Sequence, residues 1–416
     1  MLLHTDPEIR APLHQLVEAR RITTHFQPIF SVRQKSVVGM EALSRGLGRG
    51  GDLIAPYALF KMAAAEGIAG QVEDLCRESA IRNFTRLRAR PEELLLFLNL
   101  DLAWTTRPHE LSDQLDLLIA GTGLSPYNVA VEFLEARFDD VGRFGTLAAA
   151  LRKRGFLVVL DDVGAGHSNL DRIPLFRPDI IKIDRSLITG VDQDFYKQET
   201  MKSLVSLSRR IGALVVAEGI ETEGEAVMAL ELGADLLQGF FLGRPQAAAS
   251  FDDGGIVRAA ECVEVLARTF KSHMVGQINE RKLEYRRFNM ILNRILFELT
   301  NAEAGEFDQI LARIIAEYAG VECFYVLDDA GIQVTDTICS GAVVERPGRA
   351  MFRPAPRGTD HSLKEYYYVL VDVELQKYTT DPYVSLASGR LCRTISTCFR
   401  DTVKSRMYVL CVDVRA

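Results

Sequence analysis

The chain has 416 residues, 48% hydrophobic and 25% charged, enough for two or three packed domains, and this composition excludes an intrinsically disordered protein. The formal net charge of -7 comes with basic residues scattered along the sequence, which excludes a nucleic-acid polymer as partner but not a small anionic nucleotide. No apolar run approaches the ~20 residues that cross a bilayer, and the start lacks a basic segment followed by an apolar core, so a cytoplasmic location is expected.

From about residue 22 to residue 246, short β-branched or aromatic runs alternate with helical stretches, the pattern of βα units around a parallel sheet. Predicted strands cover His25–Phe30, Val37–Glu41, Leu95–Asn99, Val129–Glu132, Leu157–Asp161, Ile180–Ile183, Leu214–Glu218 and Leu237–Phe241. Eight strands in roughly 220 residues predict an α/β fold, a (β/α)8 TIM-type barrel, over residues 1–250. A long helical stretch is expected over residues 251–301. Its apolar positions Val263, Leu266, Phe270, Met274, Ile278, Leu283, Phe288, Ile291 and Ile295 recur as a helix burying one stripe requires. Such a helix serves as a connector, a dimer seam or both, and a homodimer is expected.

Residues 302–416 read as a smaller α+β domain. A helix precedes predicted strands at Cys323–Leu327, Tyr366–Val371, Leu391–Ser396 and Met407–Val412. The seven cysteines, Cys76, Cys262, Cys323, Cys339, Cys392, Cys398 and Cys411, show no CxxC or Cys/His pattern and are expected to be reduced, mostly buried thiols.

Polar residues recur at the C-terminal ends of the predicted barrel strands: Glu41, Asn99, Glu132, Asp161, Asp162, Lys182, Glu218 and Gln238. Any one alone reads equally well as a capping or salt-bridging side chain. In a closed barrel, however, these ends share one rim, where this architecture builds active sites. Five carboxylates gathered there raise one another's pKa, and bound cations resolve the conflict. The donors are all oxygens, so two hard ions such as Mg²⁺ or Mn²⁺ are favoured over zinc. A pair of ions would polarise a phosphodiester and activate water.

The same residues fall in FQPIF (Phe26–Phe30), EALSR (Glu41–Arg45), LNLD (Leu98–Asp101), VEFLE (Val131–Glu135), DDVGAGHSNL (Asp161–Leu170), KID (Lys182–Asp184), AEGIE (Ala217–Glu221) and QGFFLGRP (Gln238–Pro245). In this order they resemble the motifs of the EAL family of cyclic-di-GMP phosphodiesterases, over roughly residues 20–250. The resemblance implies a barrel with one reversed strand that hydrolyses cyclic di-GMP to linear 5'-pGpG with two divalent ions. It implies metal ligation by Glu41, Asn99, Glu132, Asp161, Asp162 and Glu218. It also implies a catalytic set of Lys182, which orients the attacking water, Glu218 as candidate base, and Glu41. Gln238 would lie near that water or a phosphate, and Arg45 would face a phosphate. Gln27, Pro28 and Leu43 would line the purine pocket, with Pro245 on its rim, and Glu135 would anchor the loop after the fifth strand.

The sequence departs from the family's usual DDFGTGYSSL at Val163, Ala165, His167 and Asn169, and from its fourth-strand motif at Phe133 and Leu134. Both aspartates and both glycines of the loop remain. Losing the hydroxyl at Ala165 suggests slower or more conditional activity; the alternative is a receptor that binds the dinucleotide without cutting it. His167 reads as a packing substitute for tyrosine.

In the second half, DHSLKEYYYVL (Asp360–Leu370), DPYVSLASGRLCRTISTCF (Asp381–Phe399) and YVLCVDV (Tyr408–Val414) resemble a PAS or Cache-like sensor domain. A barrel followed by such a domain resembles the YkuI-type architecture. The resemblance implies a pocket for an unknown small molecule near Tyr366, Tyr367 and Asp413, with Arg393 as a possible carboxylate binder; these residues read equally as ordinary sheet and surface positions.

Overall fold

The β-prone runs of the first 250 residues close into a ring. The computed structural model describes residues 13–48, 50–87, 93–101, 108–133, 141–165, 170–251, 253–318, 320–340, 354–385 and 389–415. The ring consists of β1 (Ile22–Ser31), β2 (Ser36–Leu47), β3 (Leu95–Leu100), β4 (Val129–Phe133), β5 (Leu157–Val163), β6 (Ile180–Ile183), β7 (Leu214–Ala217) and β8 (Leu236–Leu237). They pair in the order β1–β8–β7–β6–β5–β4–β3–β2, and β1 pairs again with β2 to close the barrel. The steps from β2 through β3 to β8 are parallel, whereas β1 runs antiparallel to both β2 and β8. The expected (β/α)8 barrel with one reversed strand is thus the observed fold.

Strand alternation decides what points inward. Ile29, Phe97, Ala130, Val159, Ile180, Val216 and Leu236 form one apolar plug inside the barrel, one residue from each of seven strands. On β2 the matching position is Gly39, whose absent side chain leaves room for Phe97: a Cβ there would fall 2.6 Å from Phe97 Cε2. The next inward layer lies two residues further along each parallel strand and two residues earlier on the reversed β1. That layer is Glu41, Asn99, Glu132, Asp161, Lys182, Glu218, Gln238 and Gln27.

The outward residues, among them Met40, Leu98, Val131, Leu160, Ile181 and Val215, pack beneath the surrounding helices in the main core. Helix starts are fixed by side-chain caps. Asp194 accepts from Tyr196 N at 2.9 Å, and Thr222 with Glu225 forms a capping box on helix Glu223–Leu232.

Helix Asp253–Thr300 is continuous over 48 residues, and the chain divides into two compact units within it, Met1–Gln277 and Ile278–Ala416. Val263 and Leu266 join the barrel core, while Ile291, Leu292, Ile295 and Leu299 join the core of the second unit. The predicted apolar stripe does not stay buried throughout: Ile278 and Leu283 are exposed.

The second unit is an antiparallel sheet of β9 (Val321–Asp328), β10 (Ile338–Cys339), β11 (Lys377–Thr379), β12 (Tyr383–Val384), β13 (Leu391–Arg400) and β14 (Met407–Arg415). The order is β10–β9–β14–β13–β11, with β12 also on β13. One face, with Phe324, Val326, Leu410 and Val412, packs on helix Phe307–Ile315 and the end of the long helix. The opposite face packs Tyr325, Leu327, Val409 and Cys411 against Tyr367 and Leu370.

Those last two residues correct the expected strand Tyr366–Val371, which is a helix, Glu365–Val371. The run EYYYVLV is β-prone in composition, but its buried residues are three apart, and only a helix puts them on one side. No helix among the described residues is long and apolar enough to cross a membrane.

Candidate functional site

The inner polar layer converges on Lys182. Its ammonium touches Glu218 Oε1 and lies 2.7 Å from Glu132 Oε1, 3.5 Å from Asp161 Oδ1 and 3.6 Å from Glu41 Oε2. Asn99 Nδ2 donates to Glu41 Oε1 at 3.0 Å and Gln238 Nε2 to Glu41 Oε2 at 2.6 Å. Gln238 Nε2 also lies 3.2 Å from Gln27 Oε1, and Gln27 Nε2 donates to Gly243 O at 3.0 Å. Residues far apart in sequence therefore form one connected floor, because each is the same step beyond the apolar plug.

Asp161 and Asp162 are consecutive and would ordinarily face opposite sides of β5. The β5–β6 register shifts between Leu160 and Val163, and Asp162 adopts a left-handed backbone with φ of 55°. Asp161 Oδ1 meanwhile accepts the Asp162 N–H at 2.9 Å. Carboxylate oxygens of Asp161, Asp162 and Glu218 consequently all lie within 4.8 Å of one another. The strand end after β7 is braced by Glu225, which accepts from Glu221 N, Thr222 N and Gly190 N at 2.8, 3.1 and 2.9 Å.

Burial and mutual repulsion set the protonation of this floor. Burial pushes the Glu132, Asp161 and Glu218 carboxyls up, and neighbouring acids push further, against the pull of Lys182. Burial would also raise Glu41, but the Lys182 ammonium and the bonds from Asn99 and Gln238 bring it below the usual glutamate value. Burial disfavours the Lys182 charge, yet the surrounding acids win and hold it well above an ordinary lysine.

Four acidic side chains thus share one ammonium. Among the described residues neither oxygen of Glu132 accepts a well-formed hydrogen bond. An all-oxygen donor set with this surplus of negative charge suits hard divalent cations.

The floor is the base of a cavity of about 750 Å³, a size that takes a small ligand. Glu41, Asn99, Asp161, Asp162, Lys182, Glu218, Gln238, Gln27 and Leu43 line it, and Glu132 lies beneath with no exposed surface. Pro28, Arg45 and Pro245 are not among the lining residues. Pro28 sits next in sequence to inward Gln27 and so takes the outer face of β1, where its ring neighbours Gly243. Arg45 donates instead to Ser44 O at 2.8 Å. Glu135 and His167 lie outside the described residues.

Sequence reasoning missed the upper wall, where Tyr57, Phe60, Glu73, Arg77 and Phe240 face the cavity. Glu73 and Arg77, one helical turn apart with Oε1 and Nη1 at 3.0 Å, are both buried. Burial, eased by Arg77, pushes the Glu73 carboxyl to about 7. The four-residue spacing was the available signal, but it looks the same as that of an exposed pair.

In the second unit Tyr366, on helix Glu365–Val371, packs edge-on against Tyr325 with ring centroids 6.1 Å apart, and Tyr325 shares a sheet face with Asp413. Thr394 Oγ1 donates to Asp413 Oδ1 at 2.8 Å and Tyr383 OH lies 3.5 Å from it. Tyr366 OH meets His361 Nδ1 at 2.7 Å. Tyr367 is directed elsewhere and donates to Asp329 O at 2.6 Å. Arg393 does not join this group: Thr394 is the register partner of Asp413, so Arg393 takes the opposite face and is exposed.

Residues 10–245 match the family model described as EAL domain. An uncharacterized protein of Azorhizobium caulinodans is 28% identical over 245 residues, covering 57% of this chain and 33% of its own length. The "Probable cyclic di-GMP phosphodiesterase PdeB" of Escherichia coli is 28% identical over 236 residues, 56% of this chain and 45% of PdeB. The chain therefore spans less than half the length of these two relatives. It is 24% identical to the EAL-domain containing protein YkuI of Bacillus subtilis over 396 residues, 92% of this chain and 93% of YkuI. A crystal structure of YkuI, described as a complex with substrate c-di-GMP and calcium, superposes with a TM-score of 0.77 at 23% identity. It covers 97% of this chain and 99% of YkuI, so the two share a fold along their length.

Proposed function

This chain belongs to the EAL domain family, and from that premise we propose that it hydrolyses cyclic di-GMP to linear 5'-pGpG using two divalent cations, Mg²⁺ or Mn²⁺. The observation that carries the reading is the buried Lys182 ammonium among Glu41, Glu132, Asp161 and Glu218 at the base of a ligand-sized cavity. The curated relative PdeB, named a probable cyclic di-GMP phosphodiesterase, and the YkuI complex point to the same dinucleotide.

Glu41, Asn99, Glu132, Asp161, Asp162 and Glu218 are the proposed ligands of the cations. When bound, the cations would draw charge from the scissile phosphodiester and acidify the attacking water. Lys182 stays protonated and donates to that water, fixing its oxygen toward phosphorus. Glu218 accepts the water's proton, and the bond from phosphorus to a ribose 3'-oxygen breaks, that oxygen taking a proton from solvent, to give the linear product. Glu41 and Gln238 hold one another rigid through the 2.6 Å bond. Gln27 and Leu43 contact the purine, with Pro28 and Pro245 shaping the wall behind them, and Arg45 swings toward a phosphate.

The same reading assigns residues 1–250 to the catalytic module, 251–301 to a connecting helix and 302–416 to a PAS or Cache-like module that senses a small molecule. Its pocket lies around Tyr366 and Asp413, and the protein works as a cytoplasmic homodimer.

The test is incubation of the purified chain with cyclic di-GMP, with and without Mn²⁺, and chromatography of the products. Metal-dependent appearance of 5'-pGpG supports the reading. Tight binding with intact dinucleotide recovered selects the receptor alternative, which one observation favours: Ala165 offers Asp162 only a backbone contact, N to O at 3.1 Å, and no hydroxyl.

A further inference from the structure

Two cysteines of the second unit face each other across adjacent strands. Cys323 on β9 and Cys339 on β10 are direct register partners, and their sulfurs are 2.6 Å apart. That is closer than two unbonded sulfurs sit and roughly half an ångström beyond a bond. The register also has the right parity. Ser340 N donates to Glu322 O at 2.8 Å, which makes the Glu322–Ser340 pair hydrogen-bonded and the next pair, Cys323–Cys339, non-hydrogen-bonded. Opposed residues in such a pair approach to about 4.5 Å between Cα atoms, within the range a disulfide spans.

We infer that Cys323 and Cys339 form a redox-active dithiol that closes to a cross-strand disulfide by exchange with a small disulfide of the glutathione class. Cys339, the half-buried partner, is the entry point, and Cys323, almost fully buried, is the resolving thiol. Contact with the Cys323 sulfur lowers the Cys339 pKa against burial and the nearby Asp413 and Glu322, which favours the thiolate at the more accessible sulfur. The same contact, burial, and the nearby Asp413 and Glu322 keep Cys323 protonated.

The exchange balances as follows in bonds and protons. The Cys339 thiolate attacks one sulfur of the small disulfide and expels one thiolate, leaving a mixed disulfide on Cys339. That thiolate takes the Cys323 proton, and Cys323 sulfur then attacks Cys339 Sγ and expels the second thiolate, which is protonated by water. Two protein thiols are oxidised and one small disulfide is reduced to two thiols. A shared metal is a poorer account of the pair: among the described residues the one cluster of three or more candidate metal donors is Asp161, Asp162 and Glu218.

The test treats the reduced 416-residue chain with oxidised glutathione, counts free thiols, and maps linked peptides by mass spectrometry without reductant. The expected result is loss of two of the seven thiols, a peptide joining Cys323 to Cys339, and reversal by dithiothreitol. Oxidation should also raise the unfolding midpoint. Cys323→Ser should instead stop at a glutathione adduct on Cys339, and Cys339→Ser should give neither product. The wild-type arm stands even if a variant does not fold. Retention of all seven thiols, a crosslink between any other pair, or zinc-dependent protection without a linked peptide would overturn the inference.

Discussion

Lys182 Nζ lies 2.7 Å from Glu132 Oε1, and neither side chain has more than 1% of its surface exposed. An ammonium this deep is tolerable only with acids around it, and those acids are tolerable only with cations around them. Replacing Lys182 by Met should therefore abolish turnover by about 100-fold or more and cost roughly 3–5 kcal/mol of apo stability. The measurement is product chromatography beside thermal unfolding. Added Mn²⁺ should restore more of the melting temperature in the variant than it adds to the wild type.

Cation binding should tighten as pH rises. Glu132, Asp161 and Glu218 hold their protons above the usual carboxylate range, and a cation must displace them. The stabilisation by saturating Mn²⁺ should be larger at about pH 8 than at about pH 6. Calorimetry in two buffers of different ionisation enthalpy should show proton release; a binding constant independent of pH would contradict the argument.

Gly39→Ala should strain the barrel without touching a donor. The new methyl meets the Phe97 ring at 2.6 Å, an overpacking that costs roughly 1–3 kcal/mol and pushes Glu41, two residues on, out of line. Chemical denaturation should show the loss, and Phe97→Leu in the same chain should recover most of it.

Arg77→Ala should leave the Glu73 carboxyl alone against the cavity wall, destabilising by about 3 kcal/mol at neutral pH. Because Glu73 titrates near 7 in the fold against 4.5 for a free glutamate, its contribution to stability is complete below the lower value. That contribution fades as pH rises through about 7. Glu73→Gln should flatten this part of the stability profile, and the paired change Glu73→Leu with Arg77→Met should recover stability but weaken KM.

Asp413 gives a second handle on pH. Burial lifts its carboxyl to about 6 from 3.8, against the bonds from Thr394 and Tyr383. The raised value means stability is greatest below the unfolded pKa and is lost as pH rises through about 6, by about 3 kcal/mol in all. Unfolding midpoints measured across that window should decline less steeply in Asp413→Asn than in the wild type.

The rim was legible because period-two alternation plus a closed barrel leaves little freedom: once β1–β8 are aligned, Glu41, Asn99, Glu132, Lys182, Glu218 and Gln238 must share a layer. What escaped were local departures from that rule. Asp161 follows the alternation, but Asp162 joins it only through a register shift and a left-handed backbone, neither written in composition. Pro28 and Arg393 were placed by motif, and strand parity sends each to the far side of its sheet. The tyrosine run at Glu365–Val371 looks like a strand until burial shows it is used three residues apart. The Glu73–Arg77 pair is invisible because helical spacing does not say which face is buried.

Gln27 and Glu41 are direct partners in the β1–β2 hairpin, whereas the other donors arrive from strands joined by long crossovers. Insertions in those crossovers leave the donor geometry untouched, so their lengths are free to drift as the lineage diverges. The short turn at residues 32–35, with Lys35 already in a left-handed conformation, has no such latitude. One added or deleted residue there would swap inward for outward along β1 and replace Gln27 with a neighbour of the wrong parity.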